Sequence, residues 1–292
     1  MAPLSPPQPT PPRPTLAWAR HVNSAVVFLI LTGLAVLMIG IPIGWMVLTA
    51  FKEPSQIFAW PPVYWPDPIR WQNFSDVLTQ LPFVRFASNS FFIAVMNIIG
   101  NLFSCTLVAF AFARLRFPGR NTLFMLLIAT LMIPGQIMLL PRFVVFQWLG
   151  WVGSYLPLIV PSFFGNAFFI FLMRQYIMTI PRELDEAARM DGASTWDVFF
   201  KIILPLCIPP MVVTAVLTFL WTWNEFLDPL IYISKYDDYT IQLGLNMLKG
   251  RYNIQWNLIM AGSLIGVIPP ALLYFFAQKY LIGGIASVGI KG

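Results

Sequence analysis

Charged residues are scarce in this chain of 292 residues: only 10% are Asp, Glu, Lys or Arg, against roughly 25% in an ordinary soluble domain. Apolar residues make up 58% of the chain. A soluble fold of this size leaves about a quarter of its unfolded-chain surface exposed to water, so it cannot hide so large an apolar share. The composition excludes a cytosolic enzyme, a nucleic-acid-binding module and a disordered protein, and it indicates a chain that lies largely in a lipid bilayer.

Residues that bind metals or form disulfides are also few. His21 is the only histidine, and the two cysteines, Cys105 and Cys207, both lie within apolar runs. This pattern predicts neither a metal site nor a disulfide framework. The sequence contains no Gly-Lys pair and therefore no P-loop for ATP, so we expect no catalytic residue and no cofactor in this chain. If the chain takes part in active transport, the energy must come from another subunit.

The sequence contains several long stretches without a charged residue. Six of them hold twenty or more residues, and a bilayer core about 30 Å thick needs ~20 helical residues. We therefore predict an all-α integral membrane protein with six transmembrane helices. Their cores are expected at 25–49, 89–112, 122–141, 156–174, 202–223 and 258–279.

The basic residues predict how these helices cross the membrane. The connections after the second and fourth spans are rich in Lys and Arg, whereas the third connection has only Arg142. Because cytoplasmic loops carry excess positive charge, both termini are expected in the cytoplasm, and the net charge of +6 needs no nucleic-acid partner. Residues 1–20 are predicted to form a disordered, Pro-rich tail, and residues 21–292 a single transmembrane domain.

The polar side chains in the predicted spans are uncharged. None of the six stretches holds Asp, Glu, Lys or Arg, which argues against an ion-coupled carrier or pump. Asn97 and Asn101 lie in the second span and suit either a helix–helix contact or a hydrated path. At the outer end of the fifth span, the aromatic pair Trp221 and Trp223 stands beside Asn224 and Glu225. An aromatic face therefore lies next to polar groups, as a sugar requires. The alternative for this cluster is an interfacial aromatic belt.

One predicted cytoplasmic connection, residues 179–201, has helix signals of its own. The three acids within 183–186 favour the positive N-terminal end of a short helix. Gly192 suits the left-handed turn that ends such a helix, and Ser194 with Asp197 forms a capping box that starts another. The predicted product is a short helix, a glycine elbow and a second helix that runs into the fifth span.

The same connection carries a fixed pattern of seven residues. Glu-Ala-Ala is followed after three residues by Gly, and after nine more by Ile-x-Leu-Pro. This is similar to the EAA motif of permease subunits in bacterial ABC importers. MIPGQIMLLPR at 132–142, WNEFLDPL at 223–230 and GGIASVGIKG at 283–292 resemble the carbohydrate branch of the maltose-transporter type, in particular its second, six-span subunit. The seven motif positions are Glu186, Ala187, Ala188, Gly192, Ile202, Leu204 and Pro205.

The resemblance implies an importer in the bacterial plasma membrane that moves a sugar or sugar derivative. Its other parts would be a second permease subunit, two ATPase subunits that bind ATP and Mg²⁺, and an extracytoplasmic solute-binding protein. The residues implied to couple to the ATPase are Glu186, Ala187, Ala188, Asp191 and Gly192. The candidate path residues are Asn97, Asn101, Trp223, Asn224 and Glu225. The alternatives are an ABC permease for a polyamine or peptide, or a carrier or channel that does not use ATP.

Overall fold

The computed structural model describes the backbone of residues 17–250 and 254–289, and the side chains of residues 26–250 and 254–280. Most of the predicted tail at 1–20, and the last residues of the 283–292 stretch, lie outside this part of the chain. Every regular element within it is helical, as predicted. The α-helices are α1 Ala17–Ala50, α2 Pro54–Ile57, α3 Gln72–Gln80, α4 Phe83–Arg114, α5 Arg120–Ala129, α6 Leu139–Trp148, α7 Leu156–Ile159, α8 Ala167–Thr179, α9 Glu183–Met190, α10 Thr195–Asp197, α11 Leu204–Leu206, α12 Ile208–Asn224, α13 Leu227–Tyr232, α14 Ile241–Met247 and α15 Trp256–Gly289. Short 3₁₀ turns cover Thr130–Met132, Val160–Phe164 and Tyr236–Asp238, and a π-helix covers Val198–Ile203.

Helices long and apolar enough to cross a bilayer number four in the described residues. They are Val26–Ala50, Phe83–Arg114, Leu156–Thr179 and Trp256–Tyr280. A bent pair, Thr195–Leu206 with Ile208–Asn224, makes five if it is taken as one span. A total of six spans therefore stays a prediction, and the predicted span that lacks a helix of spanning length is the third, at 122–141.

The stretch predicted as the third span, 122–141, does not form one helix. The helical segment Arg120–Met132 ends before Pro134, and α6 begins only at Leu139. Proline has no backbone N–H to donate and its ring clashes with the preceding turn, so a helix tends to end or kink there. Gly135 follows directly and weakens the helix further.

The predicted second helix after the glycine elbow does not run unbroken into the fifth span. The axes of Thr195–Leu206 and Ile208–Asn224 differ by 71°, and the bend lies at Cys207. Pro205, Pro209 and Pro210 flank the bend, and each lacks the backbone N–H that a continuous helix would use. The segment before the bend thus meets Ile208–Asn224 at a corner.

Helix α4 is the central element of the fold. It packs against α8, α12 and the 3₁₀ turn Val160–Phe164. At the crossing with that turn, Gly100 allows close approach, because a Cβ there would collide with Ser162. One buried apolar cluster surrounds the second half of α4 and includes Cys105, Phe110, Phe169, Met173, Ile177 and Phe199. A second surrounds its first turns and includes Val77, Phe83, Phe86, Phe219, Trp223 and Leu258.

Candidate functional site

The predicted coupling segment, residues 179–201, contains the short helix that the sequence indicates. Helix α9 carries three acidic residues in its first turn, where the helix dipole favours negative charge. Glu186 and Ala187 are exposed, whereas Ala188 packs against the apolar cluster around α4. The helix therefore rests on the bundle by one side and leaves the Glu-Ala part of the motif uncovered.

A glycine elbow ends α9, as predicted. Gly192 has a φ of +84°, in the left-handed region that glycine adopts without a Cβ clash. Its N–H donates to the Arg189 carbonyl at 3.0 Å, and the Ala193 N–H donates to the Ala188 carbonyl at 2.9 Å. These bonds satisfy the last carbonyls of α9, and the exposed Asp191 lies at the turn.

The capping box after the elbow is also confirmed. The Ser194 N–H donates to Asp197 Oδ2 at 3.0 Å, and the Asp197 N–H donates to Ser194 Oγ at 3.2 Å. Lys201 lies one turn on, with Nζ 2.7 Å from Asp197 Oδ1. The hydrogen bonds from Lys201 and Ser194 hold the pKa of Asp197 well below its ordinary value. The second helix therefore begins at a fixed place and in a fixed direction.

Exposed apolar side chains accompany the acids of this segment. Met190 is 88% exposed, Trp196 58% and Leu184 44%. Large apolar groups that cluster in the open mark a surface that another protein or a membrane covers. Acidic and apolar groups together give the coupling segment a surface suited to a basic protein groove better than to anionic lipid.

A second feature is a cavity of about 310 Å³ between α4, the 156–179 segment and α12. Three of the five candidate path residues line it: Asn97 and Asn101 from α4, and Glu225 from the end of α12. Asn101 Nδ2 donates to Thr218 Oγ1 at 3.4 Å. The cavity lining is mixed, with amides and hydroxyls beside aromatic rings.

The other two candidate path residues lie elsewhere. Trp223 is only 3% exposed, packs in the apolar cluster with Phe219, and donates from Nε1 to the Gly266 carbonyl at 3.0 Å. The Asn224 side chain is exposed and donates to the Leu220 carbonyl one turn back at 2.8 Å. Neither residue lines the cavity.

Trp221, the other member of the aromatic pair noted in the sequence, belongs to this site. It lines the cavity, is 49% exposed, and stacks on Phe169 with ring centroids 5.1 Å apart. Asn166 lies nearby and caps α8 by accepting from the Phe168 and Phe169 N–H groups. The aromatic pair Trp221 and Trp223 was visible in the sequence, but only the packing of α12 shows which member faces the cavity.

An ion pair at the cavity joins two stretches that carried the sugar-branch resemblance. Arg142, from 132–142, donates from Nη2 to Asp228 Oδ1 at 3.2 Å, and Asp228 belongs to 223–230. Burial raises the pKa of Asp228 and the nearby Arg142 guanidinium opposes that rise. With Glu225, the described lining holds two carboxylates and one guanidinium, spaced among neutral polar groups.

Comparison with known proteins identifies the family. Residues 105–285 match the family described as binding-protein-dependent transport system inner membrane component. The chain belongs to this family. The permease predicted from the EAA pattern is therefore confirmed at the family level, and the chain is a membrane subunit.

Two relatives and one solved structure agree with this assignment. The chain is 33% identical to the probable ABC transporter permease protein YurM of Bacillus subtilis, over 96% of this chain and 92% of the relative. It is 30% identical to the arabinooligosaccharides transport system permease protein AraQ of Halalkalibacterium halodurans, over 96% and 98%. It shares its fold with a chain of a bacterial ABC transporter involved in the import of the acidic polysaccharide alginate, with a TM-score of 0.78, 22% identity and coverage of 93% and 99%.

Proposed function

We propose that this permease moves a sugar or sugar derivative into the cell, driven by ATP that partner subunits hydrolyse. The observation that carries the proposal is the uncovered helix α9 with its EAA residues, held at a fixed angle by the Gly192 elbow. A relative named for arabinooligosaccharide transport supports the substrate class. Partners would be a second permease subunit, two ATPase subunits and an extracytoplasmic solute-binding protein.

The coupling residues act as one docking element in this proposal. Glu186 supplies the charge for a basic groove on an ATPase subunit, and Ala187 allows close approach. Gly192 sets the turn that presents them. Ala188 rests the helix on the bundle, and Asp191 ends it at the elbow, where its N–H donates to the Ala187 carbonyl at 3.1 Å.

The cavity is the proposed start of the sugar path. Sugars present hydroxyl groups around an apolar ring face, and specific pockets match them with a few convergent polar groups on an apolar wall. Asn97, Asn101 and Glu225 supply hydrogen-bond partners, and Trp221 supplies the flat apolar face. Trp223 and Asn224, on the same helix as Trp221, do not line the cavity and have no part in this path.

The membrane arrangement proposed here has six spans with both termini in the cytoplasm. In it, Arg120–Met132 and the following turn form the third crossing, and residues 202–223, bent at Cys207, form the fifth. Residues 1–20 would be a cytoplasmic tail and 21–292 the transmembrane domain of a bacterial plasma-membrane protein.

Two measurements test the proposal. Purification of the tagged chain from its host membranes should recover a second permease and an ATPase. A thermal-shift screen of the partner binding protein should then show stabilisation by sugars and not by polyamines or peptides. Stabilisation by a polyamine or peptide instead would leave the importer role standing but would show that the substrate is not a sugar. Recovery of the chain without an ATPase, together with solute flux that needs no ATP, would favour a carrier or channel.

A further inference from the structure

A buried ion pair ties the coupling helix to the end of α4. Arg114 is the last residue of α4, and its Nε lies 2.9 Å from Asp185 Oδ2 on α9. The side chains are 3% and 11% exposed. Asp185 is the only fully buried residue of α9 and lies one turn before Ala188, which packs against the bundle, so the charged contact is made on the side of the helix that faces the bundle.

The same guanidinium holds a third element. Arg114 Nη2 donates to the carbonyl of Ile180 at 2.8 Å, directly after α8 ends at Thr179. The guanidinium is planar and rigid, so the hydrogen bond from Nη2 and the ion pair at Nε, which makes no hydrogen bond within the described residues, act on one fixed group. Arg114 therefore joins the end of α4, the end of α8 and the start of α9 at one point.

Stability alone does not account for a buried pair of this kind. Burial raises the pKa of Asp185, which the Arg114 charge opposes. Asp185 Oδ1 has no hydrogen-bond partner in the described residues. Apolar side chains of similar volume often stabilise a fold as well as a buried ion pair does, or better. What the pair provides beyond stability is a fixed orientation between the elements.

Helix α4 connects this joint with the cavity. Asn97 and Asn101, which line the cavity, lie on the same uninterrupted helix as Arg114. Thirteen residues separate Asn101 from Arg114, a rise of about 20 Å. We propose that Arg114 is a positioning residue that locks α9 to α4 and α8, so that movement of α9 is transmitted along α4 to the cavity. This inference rests on the proposed function, because it requires ATPase subunits that move α9.

A cysteine reporter tests the transmission without knowledge of the sugar. T222C is introduced at the cavity lining, in a background with C105A and C207S, and the complete transporter is reconstituted in liposomes. The labelling rate of T222C by a membrane-impermeant maleimide is measured with and without ATP plus vanadate. The transporter with Arg114 and Asp185 unchanged should show an ATP-dependent change in this rate. R114M should reduce that change about tenfold at an equal amount of bound ATPase.

Four further variants separate positioning from folding. R114K keeps the charge but cannot reach both acceptors in the same fork, and should restore part of the response. D185N keeps the shape and should weaken it. R114M/D185L removes the whole pair, so it should restore assembly with the ATPase but not the response. The matched control R70M breaks the ion pair to Asp76, 3.1 Å long and remote from α9, and should respond fully.

Each outcome decides the matter. A full response in R114M and D185N would overturn the inference while the proposed function stands. Loss of assembly in R114M, D185N and R114M/D185L would also overturn it, because Arg114 would then serve the fold alone. If ATP does not change the T222C labelling rate in the transporter with Arg114 and Asp185 unchanged, both the proposed function and the inference are wrong.

Discussion

The coupling segment and the cavity are built by opposite means. In the coupling segment, each feature comes from residues within a few positions of one another: acids in the first turn, a left-handed glycine and a reciprocal cap. The cavity takes its lining from α4, the 156–179 segment, α12 and the following connection, which are far apart in sequence. Local rules therefore shape the surface proposed to meet the ATPase, whereas tertiary packing shapes the surface proposed to meet the substrate.

The strongest test of this contrast uses two tryptophans that lie two positions apart. W223A removes a buried ring from the core and a hydrogen bond to Gly266, so we expect a loss of about 3–5 kcal/mol in folding free energy. W221A removes a half-exposed ring at the cavity and should leave the melting temperature close to that of the unaltered chain while it slows uptake. Thermal unfolding in detergent and uptake in liposomes measure the two effects. Equal destabilisation by both variants would contradict the assignment.

The next largest effect is expected at helix α9. E186A removes the exposed carboxylate of the motif, and truncation of one partner of an interface charge pair costs about 2–5 kcal/mol. ATPase binding should weaken by about 30-fold or more. E183A removes another exposed acid of the same helix and serves as the control. Similar losses in both variants, measured by titration of the ATPase subunit, would show that general charge attraction rather than the motif position drives docking.

The elbow should respond to a single methyl group. Gly192 has a positive φ and nothing within 4 Å of an added Cβ, so G192A introduces backbone strain alone, about 1–2 kcal/mol. Gly150 has a φ of +68° and equally open surroundings. G150A should therefore cost similar stability, but only G192A should reduce uptake per ATP hydrolysed. An unchanged ratio of uptake to ATP hydrolysed in G192A would show that the elbow has no role in coupling.

The smallest effect is expected at the cap. S194A removes the hydroxyl that accepts from the Asp197 N–H, a loss of about 1 kcal/mol of helix stability. Hydrogen exchange over residues 195–201 should become faster. S88A, which removes a hydroxyl bonded to the Val84 carbonyl within α4, should leave exchange over 195–201 unchanged. Unchanged exchange in S194A would show that the bundle, and not the cap, fixes this helix.

Residues close in sequence explain why the coupling segment was predicted in detail. The acids of α9, the Gly192 turn and the Ser194–Asp197 box each follow from side-chain chemistry and backbone geometry over a few residues. The all-helical class followed equally well, because apolar stretches of span length must satisfy their own backbone groups in lipid.

The cavity could be predicted only in part. Trp221 and Trp223 are about 200° apart around a helix, so one faces the cavity when the other faces the core. Both faces of a membrane helix are apolar, one toward lipid and one toward protein, so hydrophobic periodicity does not tell them apart. The 71° bend at Cys207 was equally hidden, because prolines indicate that a helix can bend but not by what angle.

Coupled uptake measures the central claim most directly. The chain is reconstituted in liposomes with its second permease, its ATPase and the sugar-loaded binding protein, and sugar entry is recorded together with phosphate release. We predict uptake that requires ATP and every partner, and that falls at least tenfold in E186A although the variant still inserts in the membrane. Uptake by the chain alone, or an unchanged ratio of sugar to phosphate in E186A, would contradict the account.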